Sequence, residues 1–276
     1  MQKQQIPRLI RTRYPHPTHS PDYYNPAGSI EDNHTHPYFI MEVDKGFDYY
    51  PYSLLDIGCA GGQLVVDIYN KGEPWFAAGV EGGNIYTMTE ELPEVHHGCT
   101  GPITIAAGSK NWKEYKDKCL FHADVTKPFD IINPSTGQRQ MFNIVTSYEF
   151  FEHPLPEEIP AIIENIKKHM MPGATLIGTL NMSPGEHHRC VKTIEEWNEL
   201  FQSHGFETQT YPFCTTPRTS NEGLSQILHN RIAQEDRGIR EGHPEYRPMY
   251  DQSAGLDPIN NPDHYPFAYY LPMETE

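Results

Sequence analysis

Apolar residues along this chain come in short runs, separated by polar stretches rich in glycine, proline and tyrosine. Ser53–Ile57 is one such run. It leads into the small residues Gly58–Gly62, and Gln63–Tyr69 then shows helical spacing, which predicts strand, glycine turn and helix in succession. Ala77–Glu81 predicts a second strand ending in an acid, Leu120–Asp124 a third and Met141–Ser147 a fourth. From Pro156 to Met170 the isoleucines at 159, 162, 163 and 166 fall on one face, as in a helix packed on a sheet. Pro172-Gly173 is expected to stop that helix, with a fifth strand over Ala174–Leu180. Thr193–His204 predicts another helix closed by Gly205, Phe206–Phe213 a sixth strand and Phe267–Leu271 a seventh.

Strands and helices that alternate at this spacing point to an α/β fold of Rossmann-like type, a mostly parallel sheet with helices on both faces. The chain divides accordingly. Residues 1–50 form an N-terminal arm with one short element near Tyr38–Val43, and residues 51–213 form the core. Residues 214–265 are an insertion expected to lie over an acceptor site, with one helical stretch at Leu224–Gln234. Residues 266–276 hold the last strand and an acidic tail. There is no internal repeat.

Charge narrows the partners. Asp and Glu number 37 against 21 Lys and Arg, a formal charge of -16, whereas a protein that grips a polyphosphate usually carries a basic patch. The balance argues against nucleic acid and for a small-molecule or saccharide partner. No apolar run is long enough to span a bilayer, and Met1–Arg13 lacks the apolar stretch of a secretory signal. The cysteines at 59, 99, 119, 190 and 214 are odd in number and form no CxxC pair, so neither a disulfide framework nor a thiolate zinc cluster is expected. A reducing cytoplasm is the expected compartment, and self-association into a homo-oligomer stays open.

Leu54–Gly62, LLDIGCAGG, carries the first chemistry. Small residues after a buried strand let the chain turn tightly and bring backbone N–H groups close to a ligand. The spacing does not fit the dinucleotide GxGxxG pattern, and no Gly-Lys-Ser/Thr follows to hold a triphosphate. Glu81, ending the next strand, stands near the offset at which an acid accepts ribose hydroxyls. Asp124, ending the third, offers a carboxylate to an adenine amino group. Each acid alone is an ordinary strand-end residue; the ordered trio is the signal.

Tyr148–His153 reads YEFFEH and places Glu149, Glu152 and His153 just past the fourth strand, where an open sheet forms its ligand crevice. Two carboxylates and an imidazole this close repel or protonate unless a cation sits among them, and oxygen ligands with one or two nitrogens suit Mg²⁺ or Mn²⁺. Glu186-His187-His188-Arg189, after the fifth strand, adds imidazoles near the same edge. The alternative is a histidine that packs locally or acts as a metal-free base.

Taken together these motifs resemble the class I S-adenosylmethionine-dependent methyltransferases over roughly residues 50–213. The family pattern D-x-G-x-G-x-G falls on Asp56, Gly58, Ala60 and Gly62, with alanine in place of the middle glycine. The resemblance implies S-adenosylmethionine bound at those residues, with Glu81 on the ribose and Asp124-Val125 at the adenine, and a seven-stranded sheet whose last strand is antiparallel. The array ExxEH plus a later histidine is similar to the metal site of small-RNA 3′-terminal 2′-O-methyltransferases, of the catechol O-methyltransferases of ubiquinone synthesis and of sugar O-methyltransferases. That similarity implies Glu149, Glu152, His153 and His188 as ligands of Mg²⁺ or Mn²⁺. His188 matches better than His187 because HRCVKTIEEW keeps the family's run into the next helix, though the doubled histidine leaves the choice open. His153, His187 and His188 are then the candidate catalytic bases for removing a hydroxyl proton.

The expectation is an O-methyltransferase acting on a sugar, glycoconjugate or other small polar diol. A nucleic-acid 2′-O-methyltransferase and a catalytically silent cofactor-binding assembly module are the alternatives. His96-His97 and His122 are expected at loops or strand ends, Trp75, Trp112 and Trp197 as packing residues, and Tyr23-Tyr24, Tyr49, Tyr50 and Tyr52 on the arm or a pocket wall. No GxSxG, HExxH or P-loop points to a hydrolase or kinase.

Overall fold

The computed structural model describes residues 7–15, 52–72, 75–83, 111–182, 184, 188–208 and 264–272. The sequence read as apolar runs emerges as nine strands and three helices among them. The strands are β1 (Leu9–Thr12), β2 (Ser53–Ile57), β3 (Phe76–Glu81), β4 (Leu120–His122), β5 (Phe129–Ile132), β6 (Phe142–Tyr148), β7 (Met170–Asn181), β8 (Glu207–Thr208) and β9 (His264–Tyr270). The helices are α1 (Gln63–Asn70), α2 (Ile159–Lys167) and α3 (Ile194–Ser203).

Seven strands form one sheet in the order β4-β3-β2-β6-β7-β9-β8. β4, β3, β2, β6 and β7 run parallel, whereas β9 is antiparallel to both β7 and β8. The sheet is therefore Rossmann-like, with a reversed final strand. β2, β3 and β6 are buried at every position, as expected of central strands covered on both faces. Leu54, facing one way, packs with Leu64, Val65 and Ile68 of α1. Leu55 and Ile57 pack with Ile159, Ile162, Ile163 and Ile166 of α2 and Trp197 and Phe201 of α3 on the opposite face. Trp197 thus seats its helix on the sheet as expected. α3 begins with a capping box, in which the Thr193 hydroxyl accepts from the Glu196 N–H and the Glu196 carboxylate accepts from the Thr193 N–H.

Several boundaries differ from the sequence reading. The helix expected to run from 156 to 170 spans only Ile159–Lys167, and Pro172-Gly173 do not end it; both lie inside β7, which starts at Met170. The register slips opposite them between Phe142 and Ile144, and a proline, having no N–H, is tolerated at such an irregularity. Gly173 (φ 83°) donates its N–H to Leu271 O at 2.8 Å, keeping the rest of β7 in register with the chain beyond β9. The second difference is in the arm. Residues 9–12 form β1, paired antiparallel with β5 in a separate two-stranded sheet. Four half-exposed residues carry no periodicity strong enough to announce a strand; the partner edge of β5 decides it. The last strand begins at His264, two residues before the boundary drawn from sequence, and the sixth is described only as Glu207–Thr208. Tyr38–Val43, Leu224–Gln234 and most of 214–265 lie outside the described residues.

The carboxyl ends of β2, β3, β4, β6 and β7 share one edge, since Glu81 is level with His122 and Tyr148 with Thr179. β3 lies on one side of β2 and β6 on the other, so the direction of chain progression reverses between β2 and β6. Ligands of open α/β sheets sit at such a switch point.

Candidate functional site

On one side of the switch point is the turn from β2 into α1. Gly58, Ala60 and Gly62 all have left-handed backbone, with φ of 73°, 47° and 77°. Glycine is close to obligatory at two of these for a second reason. A Cβ on Gly58 would come within 2.8 Å of the Phe150 ring, and one on Gly62 within 2.6 Å of the Leu120 side chain. Ala60 is the exception, and left-handed backbone costs an L-residue about 1–2 kcal/mol.

Hydrogen bonds hold the turn in that shape. The Gly58 and Cys59 N–H groups donate to Val80 O at 2.9 and 3.2 Å. The Glu81 carboxylate accepts from the Ala60 N–H at 2.9 Å and from the Gly83 N–H at 2.7 Å. Trp112 Nε1–H donates to Ala60 O at 2.8 Å, and Asn111 Nδ2–H donates to Gly61 O at 3.2 Å. Asp56 is fully buried beneath the turn, and its carboxylate accepts from the Thr146 hydroxyl at 2.7 Å, joining β2 to β6. Asp56, expected from sequence among the cofactor-binding residues, thus lies in β2 inside the sheet, just before the turn.

Asp124 follows β4 instead of ending it, because β4 stops at His122. Its Oδ1 accepts from the Thr126 N–H at 3.0 Å and the Thr126 hydroxyl at 2.6 Å, and its own N–H donates to Tyr14 O at 2.8 Å. Val125 turns its side chain into the core, while its carbonyl accepts from Asn165 Nδ2–H of α2 at 2.9 Å. The Asn165 amide thus ties the loop after β4 to the helix beneath it.

Across the switch point lies the acid–histidine loop after β6. Glu152, His153 and His188 each place a ligand-capable atom so that all three lie within 4.8 Å of one another. The two imidazole rings meet edge to face, 5.2 Å apart. Two strand ends build this cluster. Asn181, last in β7, donates its N–H to Glu152 Oε1 at 3.2 Å, Cys190 N–H donates to Glu152 O at 2.9 Å, and Arg189 Nε–H donates to His153 O at 3.0 Å. Burial pushes the Cys190 thiol up, so it stands beside the cluster as a neutral thiol. Glu149, the fourth residue expected there, is not part of the group. It is buried with left-handed backbone (φ 50°), and its N–H donates to Thr179 O at 3.0 Å. His187 lies outside the described residues.

Phe150 joins the two halves, since its ring is what a Cβ at Gly58 would strike. His122 ends β4 as expected, its ring 4.3 Å from that of Trp112. Tyr52 packs on Trp75 at 4.5 Å and belongs to the core. The described cysteines, 59, 119 and 190, are buried free thiols. His96-His97, Tyr23-Tyr24, Tyr49 and Tyr50 lie outside the described residues. Asn111, Trp112, Thr146 and Phe150 escaped the sequence reading as site residues. Asn111, Trp112 and Phe150 reach the turn, and Thr146 reaches Asp56 just before it, from at least 50 positions away and with no local motif to announce them.

No family model and no curated protein matches the chain. Solved structures of low similarity do. The plantazolicin methyltransferase BamL, in complex with a triazolic desmethylPZN analog and SAH, shares 14% identity over 88% of this chain and 84% of its own (TM-score 0.46). An O-methyltransferase from a trans-AT PKS multienzyme of Brevibacillus brevis, in complex with S-adenosyl-L-homocysteine, shares 16% over 84% and 70% (TM-score 0.40). Phosphoethanolamine N-methyltransferase 2 of Haemonchus contortus, in complex with S-adenosyl-L-methionine, shares 14% over 86% of this chain, which spans only 52% of that one (TM-score 0.43).

Proposed function

We propose that the chain is an S-adenosylmethionine-dependent O-methyltransferase acting on a hydroxyl of a sugar, glycoconjugate or other small polar diol. The observation that carries the reading is the contact, through Phe150, between a left-handed glycine turn held by Glu81 and a carboxylate–imidazole cluster across the switch point. The first half suits a nucleoside ligand and the second a proton acceptor or cation.

In this reading the adenosyl moiety lies along the carboxyl edge, its ribose hydroxyls donating to Glu81 and its adenine beside Asp124 and Val125. Glu81 is a fitting partner because a carboxylate accepts hydrogen bonds on both oxygens, as it does here from the Ala60 and Gly83 N–H groups. His153 or His188 accepts the acceptor hydroxyl's proton. The oxygen attacks the sulfonium methyl, the carbon–sulfur bond breaks, and S-adenosylhomocysteine leaves. The protein's main contribution is to hold nucleophile and methyl in line.

Glu152, His153 and His188 also fit a divalent cation. One carboxylate and two imidazoles with mutually close donor atoms form a coherent ligand set, and of the two ions expected, two nitrogens favour Mn²⁺ over Mg²⁺. When bound, the ion would lower the pKa of a ligated hydroxyl. Glu152 would be held in place by the Asn181 N–H.

Calorimetry with S-adenosylhomocysteine, with and without Mn²⁺, tests both halves. Transfer of labelled methyl to a panel of saccharides and phenolic diols tests the acceptor class. The native chain should bind the nucleoside product and release labelled methyl onto a hydroxyl. No detectable S-adenosylhomocysteine binding overturns the reading.

A further inference from the structure

We propose that Trp112 and Asn111 are positioning residues that keep Ala60 in the left-handed conformation a bound sulfonium nucleoside requires. The inference rests on the cofactor reading above. Its basis is that Ala60 occupies a backbone region natural to glycine (φ 47°) yet is gripped on both of its peptide groups. Glu81 takes its N–H at 2.9 Å, and the indole of Trp112, itself fully buried, donates to its carbonyl at 2.8 Å. Asn111 Nδ2–H, from the same helical turn at 111–115, donates to the next carbonyl, Gly61 O, at 3.2 Å and to Gln63 Oε1 at 3.0 Å. Strained conformations persist where the surroundings over-determine them. Here the clamp comes from a segment about 50 residues away in sequence, stacked on His122 at the end of β4.

The consequence concerns population. Without the indole bond an alanine at position 60 drifts from left-handed backbone, and the binding-competent turn becomes a minority of about one part in five to one in thirty. A glycine there has no such preference, so the clamp is dispensable to it. Trp112→Phe removes the N–H and keeps a smaller aromatic ring at this buried position. It should weaken S-adenosylhomocysteine binding about tenfold in the native background and less than about threefold when combined with Ala60→Gly. Rescue by a glycine is an outcome that lost packing at Trp112 would not produce.

The experiment is therefore a two-by-two calorimetric series with S-adenosylhomocysteine, accompanied by hydrogen exchange of the residue-60 amide in the ligand-free proteins. Supporting results are selective weakening with rescue by Ala60→Gly, and a residue-60 amide that exchanges faster in Trp112→Phe than in the native chain, with no such acceleration between Ala60→Gly and the double variant. Equal weakening in both backgrounds, or none in either, overturns the proposal. If the native chain fails to bind S-adenosylhomocysteine, the functional reading falls and the exchange arm alone decides the clamp, unchanged Ala60 exchange in Trp112→Phe refuting it. Should Trp112→Phe not fold, Asn111→Ala enters the same series, with loss and rescue read in the same way.

Discussion

Replacing Glu81 by glutamine tests how the glycine turn is held before any ligand arrives. The carboxylate accepts one N–H on each oxygen, from Ala60 at 2.9 Å and Gly83 at 2.7 Å, and is almost fully buried. Bonds to a charged group contribute about 1.5–3 kcal/mol each. Glutamine keeps one acceptor oxygen but presents an NH₂ to the other donor, so one bond is lost and a buried N–H faces another donor. The expected loss is about 2–3 kcal/mol of folding stability. At roughly 2–4 °C per kcal/mol for a domain of this size, Tm should fall by about 5–10 °C. Asp124→Asn is the matched control. Both bonds from Thr126 end on a single oxygen, which asparagine retains, so its loss should stay below about 1 kcal/mol. Ligand-free thermal melts, checked by urea titration with unchanged m-value, supply the measurement. A Glu81→Gln protein melting within about 1 °C of the native one would show that the carboxylate does not organise the turn, whatever it does for a cofactor.

Other outcomes follow from the same structure. His169 is buried, donates Nδ1–H to Asn165 O at 2.8 Å and accepts the Ile131 N–H on Nε2 at 3.2 Å, and burial holds it down to about 4. Because the unfolded chain binds this proton at ordinary histidine pH and the folded one does not, stability should fall as pH drops from about 6.5 to about 4, by about 3 kcal/mol. Urea titrations across that window should lose this slope in His169→Gln; an identical slope in both proteins would assign acid lability elsewhere. Gly62→Ala adds a left-handed L-residue and a Cβ 2.6 Å from Leu120, so it should cost about 2–4 kcal/mol, read by denaturant midpoint. On the proposed function, Glu152→Gln should reduce Mn²⁺ affinity and methyl transfer by about tenfold or more while leaving S-adenosylhomocysteine binding within about twofold; chelated native protein that retains full turnover would leave His153 or His188 as a metal-free base.

What the sequence determined by itself was whatever depends on near neighbours in the chain. β2, β3, β6 and the faces of α2 and α3 follow from apolar period, and LLDIGCAGG announces a tight turn because only small residues tolerate its backbone. The pairing of Glu152 with His153 and His188 was legible too, as residue types that gather at a sheet's carboxyl edge. Tertiary structure alone decided the rest. Pro172-Gly173 became part of β7 because β6 pairs the residues on either side of them and Leu271, after β9, accepts the Gly173 N–H. Glu149 takes left-handed backbone as the chain leaves β6, and Asp56 was enclosed by the register that brings Thr146 opposite it. Ala60 holds a glycine's conformation because Glu81 and Trp112 reach it from 21 and 52 positions away. Contacts over such separations are set by how the sheet closes, and they leave no period or spacing in the chain for a sequence reading to find.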